Sequence, residues 1–148
     1  MDDADIQVFI TGARRYFESI DASLTLVVEP PFIKERAEPF LEYTGIIGVS
    51  GRARGAVCFT ANSSMLFNIL SLLKDERLDE AAKRDLVGEI ANTLSGNARE
   101  EFGKEFLISI PVVAIGRQTT FHFPSDIRNY VVPLSWRSQT AYLLVCLE

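Results

Sequence analysis

The chain has 148 residues, 47% of them hydrophobic and 24% charged, and carries a net charge of -5. This is the balance of a globular protein, and the length fits one domain, residues 1–148, able to bury a core without covalent or metal staples. The acidic balance excludes nucleic acid as the main partner, because binding phosphates requires a basic face.

The start, MDDADIQVF, is acidic and lacks a signal-peptide pattern. No apolar run reaches the roughly 20 residues that span a bilayer, so no membrane contact is expected and the expected location is the cytoplasm. Residues 3–20 read as a helix: Ile6, Phe9, Ile10, Ala13, Phe17 and Ile20 recur at helical spacing, and acids fill the first turn. SLTLVVE (residues 23–29) reads as a strand, and PPFIKERAEP as a loop or an irregular edge. FLEYTGIIGVSGRARGAVCFTA reads as two strands joined in a hairpin near SGRARG. Its Gly48, Gly51 and Gly55 do not have the spacing of a phosphate-binding loop.

Asn62 or Ser63 can cap a helix that places Leu66, Ile69, Leu70 and Leu73 on one face. After a turn at KDERL, a long helix runs from an Asp79 N-cap to Phe102, with Gly103 as the residue that ends it. The remainder reads as β: LISIPVVAIGR, YVVPLSWRS and TAYLLVCLE, with QTTFHFPSDIRN as a loop or short extra strand. Pro111 and Pro133 interrupt two of these runs and predict edges or bulges there. Helices do not alternate singly with strands, so the expected class is α+β, a mostly antiparallel sheet covered by long helices in two layers.

Cys58 and Cys146 lie in apolar, strand-like runs and are expected as buried thiols. His122 is the single histidine, and no Cys, Asp or Glu cluster has zinc-like spacing, so no intrinsic metal is expected. Trp136 alternates with Val132 and Leu134 and is expected in the core or an interface.

The long helix carries the most information. At about 100° per residue, counted from Asp85, residues Leu86, Val87, Ile90, Ala91, Leu94, Ala98 and Phe102 fall on one buried arc. Asp85, Glu89, Asn92 and Gly96 fall within about 40° of the opposite direction and form an outward ridge. Asn97 lies at the edge of the buried arc, where a structural role is expected. Acids on a solvated face are ordinary. Glycine there is not, because Gly88 and Gly96 each cost the helix about 1 kcal/mol relative to alanine. A glycine on the ridge makes sense if something must approach the backbone.

Glu89 and Asn92 are i and i+3, so their side chains are neighbours. No nucleophile can be tied to them by spacing, and an exposed carboxylate is a poor stand-alone general base. It is suited to pairing with a lysine or arginine. A carboxamide donates and accepts at once, so Asn92 can hold a water in line for attack, the part an amide plays in phosphoryl transfer to water. The pair is half an active site whose electrophile and metal must come from a partner.

With these residues in view, DLVGEIANTLSGNAREEFG (residues 85–103) resembles the helix of the CheC/CheX/FliY phosphatases of bacterial chemotaxis. Their mark is an acid or serine, three residues, Glu, two residues, then Asn, which Asp85, Glu89 and Asn92 match. The SGNA stretch at Ser95–Ala98, the ISIPVV run with Pro111 and the order of elements also look like CheX. The helix that begins near Ser63 offers no second E-x-x-N, and one motif per chain is the CheX pattern.

The resemblance implies a phosphatase acting on the aspartyl phosphate of a phosphorylated CheY-like receiver domain in chemotaxis or other two-component signalling. Glu89 would pair with the receiver's active-site lysine, and Asn92 would orient the attacking water. Asp85 would assist docking at the rim, while Gly88 and Gly96 kept the ridge low. The receiver would bring its own Mg²⁺, and the chain would be a homodimer paired through sheet edges. The readings left open are a non-enzymatic receiver-binding or dimerisation module, and a signalling domain that binds an unrelated ligand on this face.

Overall fold

The computed structural model describes residues 1–34, 40–116 and 128–148. Most of QTTFHFPSDIRN, His122 included, and half of PPFIKERAEP lie outside the described residues. In chain order the elements are α1 (Asp3–Ile20), β1 (Val27–Val28), β2 (Phe32–Lys34), β3 (Tyr43–Gly51), β4 (Gly55–Ala61), α2 (Ser63–Leu72), α3 (Glu80–Phe102), β5 (Phe106–Ile108), β6 (Val112–Ile115), β7 (Asn129–Trp136) and β8 (Gln139–Leu147).

The helices start where local chemistry tells them to. Asp2 accepts from the Asp5 N–H at 2.9 Å while the Asp5 carboxylate accepts from the Asp2 N–H at 3.0 Å, a reciprocal cap for α1. Asp79 caps α3 by accepting from the Ala82 N–H at 2.9 Å, and Gly103 ends it at φ +100°, a conformation that favours glycine. Asn62 is the N-cap of α2 as expected, but its side chain makes no capping bond. The buried face of α2 is Met65, Leu66, Ile69 and Leu70. Leu73, expected on that face, lies past the helix end and is 50% exposed.

The strands form one sheet in the order β1-β7-β8-β4-β3-β5, with β2 beside β7 and β6 beside β3. Every described pairing is antiparallel. Alternate residues point to opposite faces, and both faces are apolar. Tyr43, Ile47, Val57, Phe59, Leu143 and Val145 meet the three helices in the main core. Ile46, Cys58, Val131 and Leu144 join Phe40 in a second cluster. Trp136 is fully buried in the main core, its ring centroid 5.5 Å from that of Phe17. Both cysteines are buried thiols, and burial, then the neighbouring Cys146, pushes the Cys58 thiol up. No helix among the described residues is long and apolar enough to cross a membrane.

The sheet differs from the sequence reading at its edges. SLTLVVE yields only the two-residue β1, and β2 emerges from what read as a loop or irregular edge. Both short strands lie along the outer side of β7. Pro133 explains the break between them. Glu29 donates its N–H to the Pro133 carbonyl at 3.0 Å, so the backbone of Pro133 faces outward. In an antiparallel strand N–H and C=O share a side, so the donor that proline lacks is missing where the outer strand breaks. LISIPVVAIGR likewise splits at Ser109–Pro111 into β5 and β6.

The β7–β8 turn is two residues long, with Trp136 opposite Gln139. Arg137 and Ser138 both take positive φ, 52° and 63°, as a tight hairpin demands. Neither residue type advertises that conformation in the sequence.

Candidate functional site

α3 is the platform. Its 23 residues make a rod about 34 Å long. Leu86, Val87, Ile90, Ala91, Leu94 and Ala98 are buried beneath it, as the wheel requires. Gly45 lets the helix lie close on β3. A Cβ there would lie 2.3 Å from the Val87 carbonyl oxygen and 3.1 Å from the Ala91 Cβ. Helix backbone therefore rests directly on strand backbone, and the outer face is fixed by what lies beneath it. At the N-terminal end Lys83 donates to the Ser63 hydroxyl at 2.7 Å, tying α3 to α2.

On the outer face Asp85, Glu89 and Asn92 are all exposed. Among the described residues, neither Glu89 nor Asn92 has a hydrogen-bond or ion-pair partner. Asp85 does have one: Arg77, from the turn before α3, approaches its carboxylate at 3.5 Å. Both ends of that pair are well exposed, so it contributes little to stability.

The two glycines part company. Nothing lies within 4 Å of a Cβ built on Gly96, which opens onto a hollow of about 480 Å³ lined by Arg99, Glu100, Gly103, Lys104 and Ile108. Gly88 was expected to keep the ridge low for a partner. It is buried instead, and a Cβ there would lie 3.3 Å from Val113 Cγ2 and 3.5 Å from Pro111 Cβ. The wheel places Gly88 about 60° off the ridge, and its neighbours on that side are Val113 of β6 and Pro111 of the β5–β6 connection.

That connection forms one flank of the ridge. Ser109 and Gly48 exchange two bonds: the Ser109 N–H donates to the Gly48 carbonyl at 2.9 Å, and the Gly48 N–H donates to Ser109 Oγ at 2.9 Å. Held this way, the segment leaves Ile110 83% exposed, Val112 60% exposed and Pro111 exposed between them. α1 forms the other flank, where Asn97 packs 3.8 Å from the Cβ position of Gly12. Asn97 thus joins two helices, which agrees with the structural role expected for it.

Chemically, the ridge offers a carboxylate and a carboxamide side by side, Cβ atoms about 5–6 Å apart by helix geometry. No group of three His, Cys, Asp or Glu side chains among the described residues could hold a metal ion. The ridge can anchor a cation and order a water. It has no group of its own to attack or be attacked.

Solved structures share this architecture. A CheC-like superfamily protein from Shewanella sp. PV-4 has a TM-score of 0.83 at 27% identity, covering 100% of this chain and 99% of its own. CheX from Vibrio vulnificus has a TM-score of 0.81 at 26% identity, covering 98% of this chain and 99% of its own. The CheX-CheY-BeF3-Mg²⁺ complex from Borrelia burgdorferi contains a chain with a TM-score of 0.75 at 17% identity, with 97% of each chain covered, a likeness of fold alone. No curated protein matches the sequence. The family model described as "Chemotaxis phosphatase CheX" matches residues 43–135, well over half the chain and the whole of α3. The chain therefore belongs to the CheX family of chemotaxis phosphatases.

Proposed function

We propose that this chain hydrolyses the aspartyl phosphate of a CheY-like receiver domain. The observation that carries the reading is the Glu89–Asn92 pair: outward, adjacent, without side-chain hydrogen bonds or ion pairs among the described residues, on a helix capped at both ends and seated on strand backbone. The relative from Borrelia burgdorferi is recorded in complex with CheY, BeF3 and Mg²⁺, which supports a receiver as the partner.

In this reading α3 docks across the receiver's phosphorylation site. Glu89 pairs with a lysine of the receiver and sets the register. Asn92 reaches the phosphoryl group, accepting a hydrogen bond from a water and turning its oxygen in line with the acyl P–O bond. The water oxygen bonds to phosphorus, the aspartyl oxygen leaves as carboxylate, and inorganic phosphate carries the added hydroxyl while the water's second proton passes to another phosphate oxygen or to solvent. The receiver's Mg²⁺ neutralises charge on the transferring group. Asp85 and the open backbone at Gly96 belong to the docking surface.

The test is phosphate release from a receiver phosphorylated by a small phosphodonor. Added protein is expected to speed release, and Glu89→Ala to raise KM by about tenfold, since an interfacial charge left without its partner is costly. Binding without faster release would instead favour a receiver-binding module. A homodimer through sheet edges is also proposed. Apolar side chains stand exposed on both edges: Val27, Phe32 and Ile33 on one, Leu107, Val112 and Ile115 on the other. Sedimentation at micromolar concentration should give twice the chain mass, and a monomer would reject the pairing.

A further inference from the structure

The ridge changes sign along its length. Its N-terminal half carries Asp85 and Glu89. Past Gly96 it runs into the hollow of about 480 Å³, where Arg99 and Lys104 stand exposed over Ile108. Neither cation has a side-chain hydrogen bond or ion pair among the described residues. On the wheel Arg99 leans about 40° toward the Pro111 side, close to Asn92 at about 20° on that same side, and Glu100 leans about 60° the other way. Seven residues separate Asn92 from Arg99, about 10 Å along the helix axis. A carboxylate one turn before Asn92 and a guanidinium two turns after it thus share one outer face. The hollow between them stays open because Gly96 has no side chain and nothing lies within 4 Å of its Cβ position.

We propose that Arg99, supported by Lys104, is a second docking anchor that takes a carboxylate of the receiver in the hollow at Gly96. The proposal rests on the receiver reading above. A site that holds Mg²⁺ and a phosphoryl group is built from carboxylates, and this chain, at net charge -5 with two acids on the ridge, would repel it. Two free cations beside Asn92 offset that repulsion. Anchors of opposite sign on either side of Asn92 also fix the direction in which α3 lies across its partner, since the reversed pose sets like charges together. The plain alternative is that Arg99 only complements the carbonyl end of α3, a favourable place for any cation.

Arg99→Gln separates the two, because it keeps the length and helix propensity and removes the charge. For a phosphorylated receiver, KM is expected to rise about threefold to fivefold, and about tenfold with Lys104→Gln added, while kcat stays within about twofold of the parent. The difference should shrink as salt is raised from 50 to about 500 mM. Arg137→Gln is the control: it removes the same charge in the β7–β8 turn, with β8, β4 and β3 between β7 and β5, and should leave KM unchanged. An unchanged KM in Arg99→Gln, or an equal rise in Arg137→Gln, would overturn the proposal. Titration of a receiver loaded with BeF3 and Mg²⁺ gives Kd without turnover and should show the same loss. If the parent binds in an Arg99-dependent way without speeding phosphate release, the anchor stands and the phosphatase reading fails. If the parent speeds release and Arg99→Gln matches it in KM and Kd, the reading stands and the anchor falls. A parent that neither binds nor speeds release rejects both.

Discussion

Asn92→Ala is expected to lower phosphate release from a phosphorylated receiver by about 10²–10³-fold, with little change in KM. Orienting a reactant lowers a barrier by several kcal/mol, and loss of one well-placed polar group in a transition state has effects of about this size. The fold gives no reason for the loss to arise from instability. Asn92 is exposed and has no hydrogen-bond partner among the described residues, and alanine is the better helix former. The variant should therefore melt no lower than the parent. Asn92→Asp should be as inactive, because a carboxylate accepts but cannot donate and adds negative charge beside a phosphoryl group. Equal phosphate release by the parent and Asn92→Ala would remove Asn92 from the mechanism and leave family membership untouched.

Gly45→Ala is expected to destabilise the protein by about 2–3 kcal/mol and lower the melting temperature by roughly 5–10 °C. The added methyl would sit 2.3 Å from the Val87 carbonyl oxygen, and that neighbour is helix backbone rather than a side chain that could swing away. Relief requires α3 to lift off β3, which would displace the ridge along with the core. Gly96→Ala on the same helix should go the other way. Its methyl meets nothing within 4 Å, so helix propensity alone acts and stability should rise by up to about 1 kcal/mol. If the receiver must approach the backbone at Gly96, that gain comes with weaker docking. Thermal melts of the two variants decide the first comparison. A Gly45→Ala variant as stable as the parent would mean that α3 does not rest on β3 as described.

The two glycines of the ridge motif show where sequence reading stops. Gly88 and Gly96 look alike in DLVGEIANTLSGNAREEFG. Only Pro111 and Val113, about 20 residues downstream in the chain, make one an internal packing site and leave the other open. Gly45 carried no signal at all within TGIIG, because its constraint comes from a helix far along the chain.

The limits of α1 and α3, the β3–β4 hairpin and the outward direction of Asp85, Glu89 and Asn92 were settled by the sequence itself. Each depends on interactions among residues a few positions apart: caps that satisfy the first N–H groups, and a period of 3.6 that sorts apolar from polar. Tertiary structure alone decided the rest. The short edge strands exist only where β7 or β3 offers backbone partners, and Arg137 and Ser138 take positive φ because the strands on either side close the turn. The flanks of the ridge were likewise invisible in the chain, since α1 and the β5–β6 segment come to lie beside α3 only when long-range packing closes the loops between them.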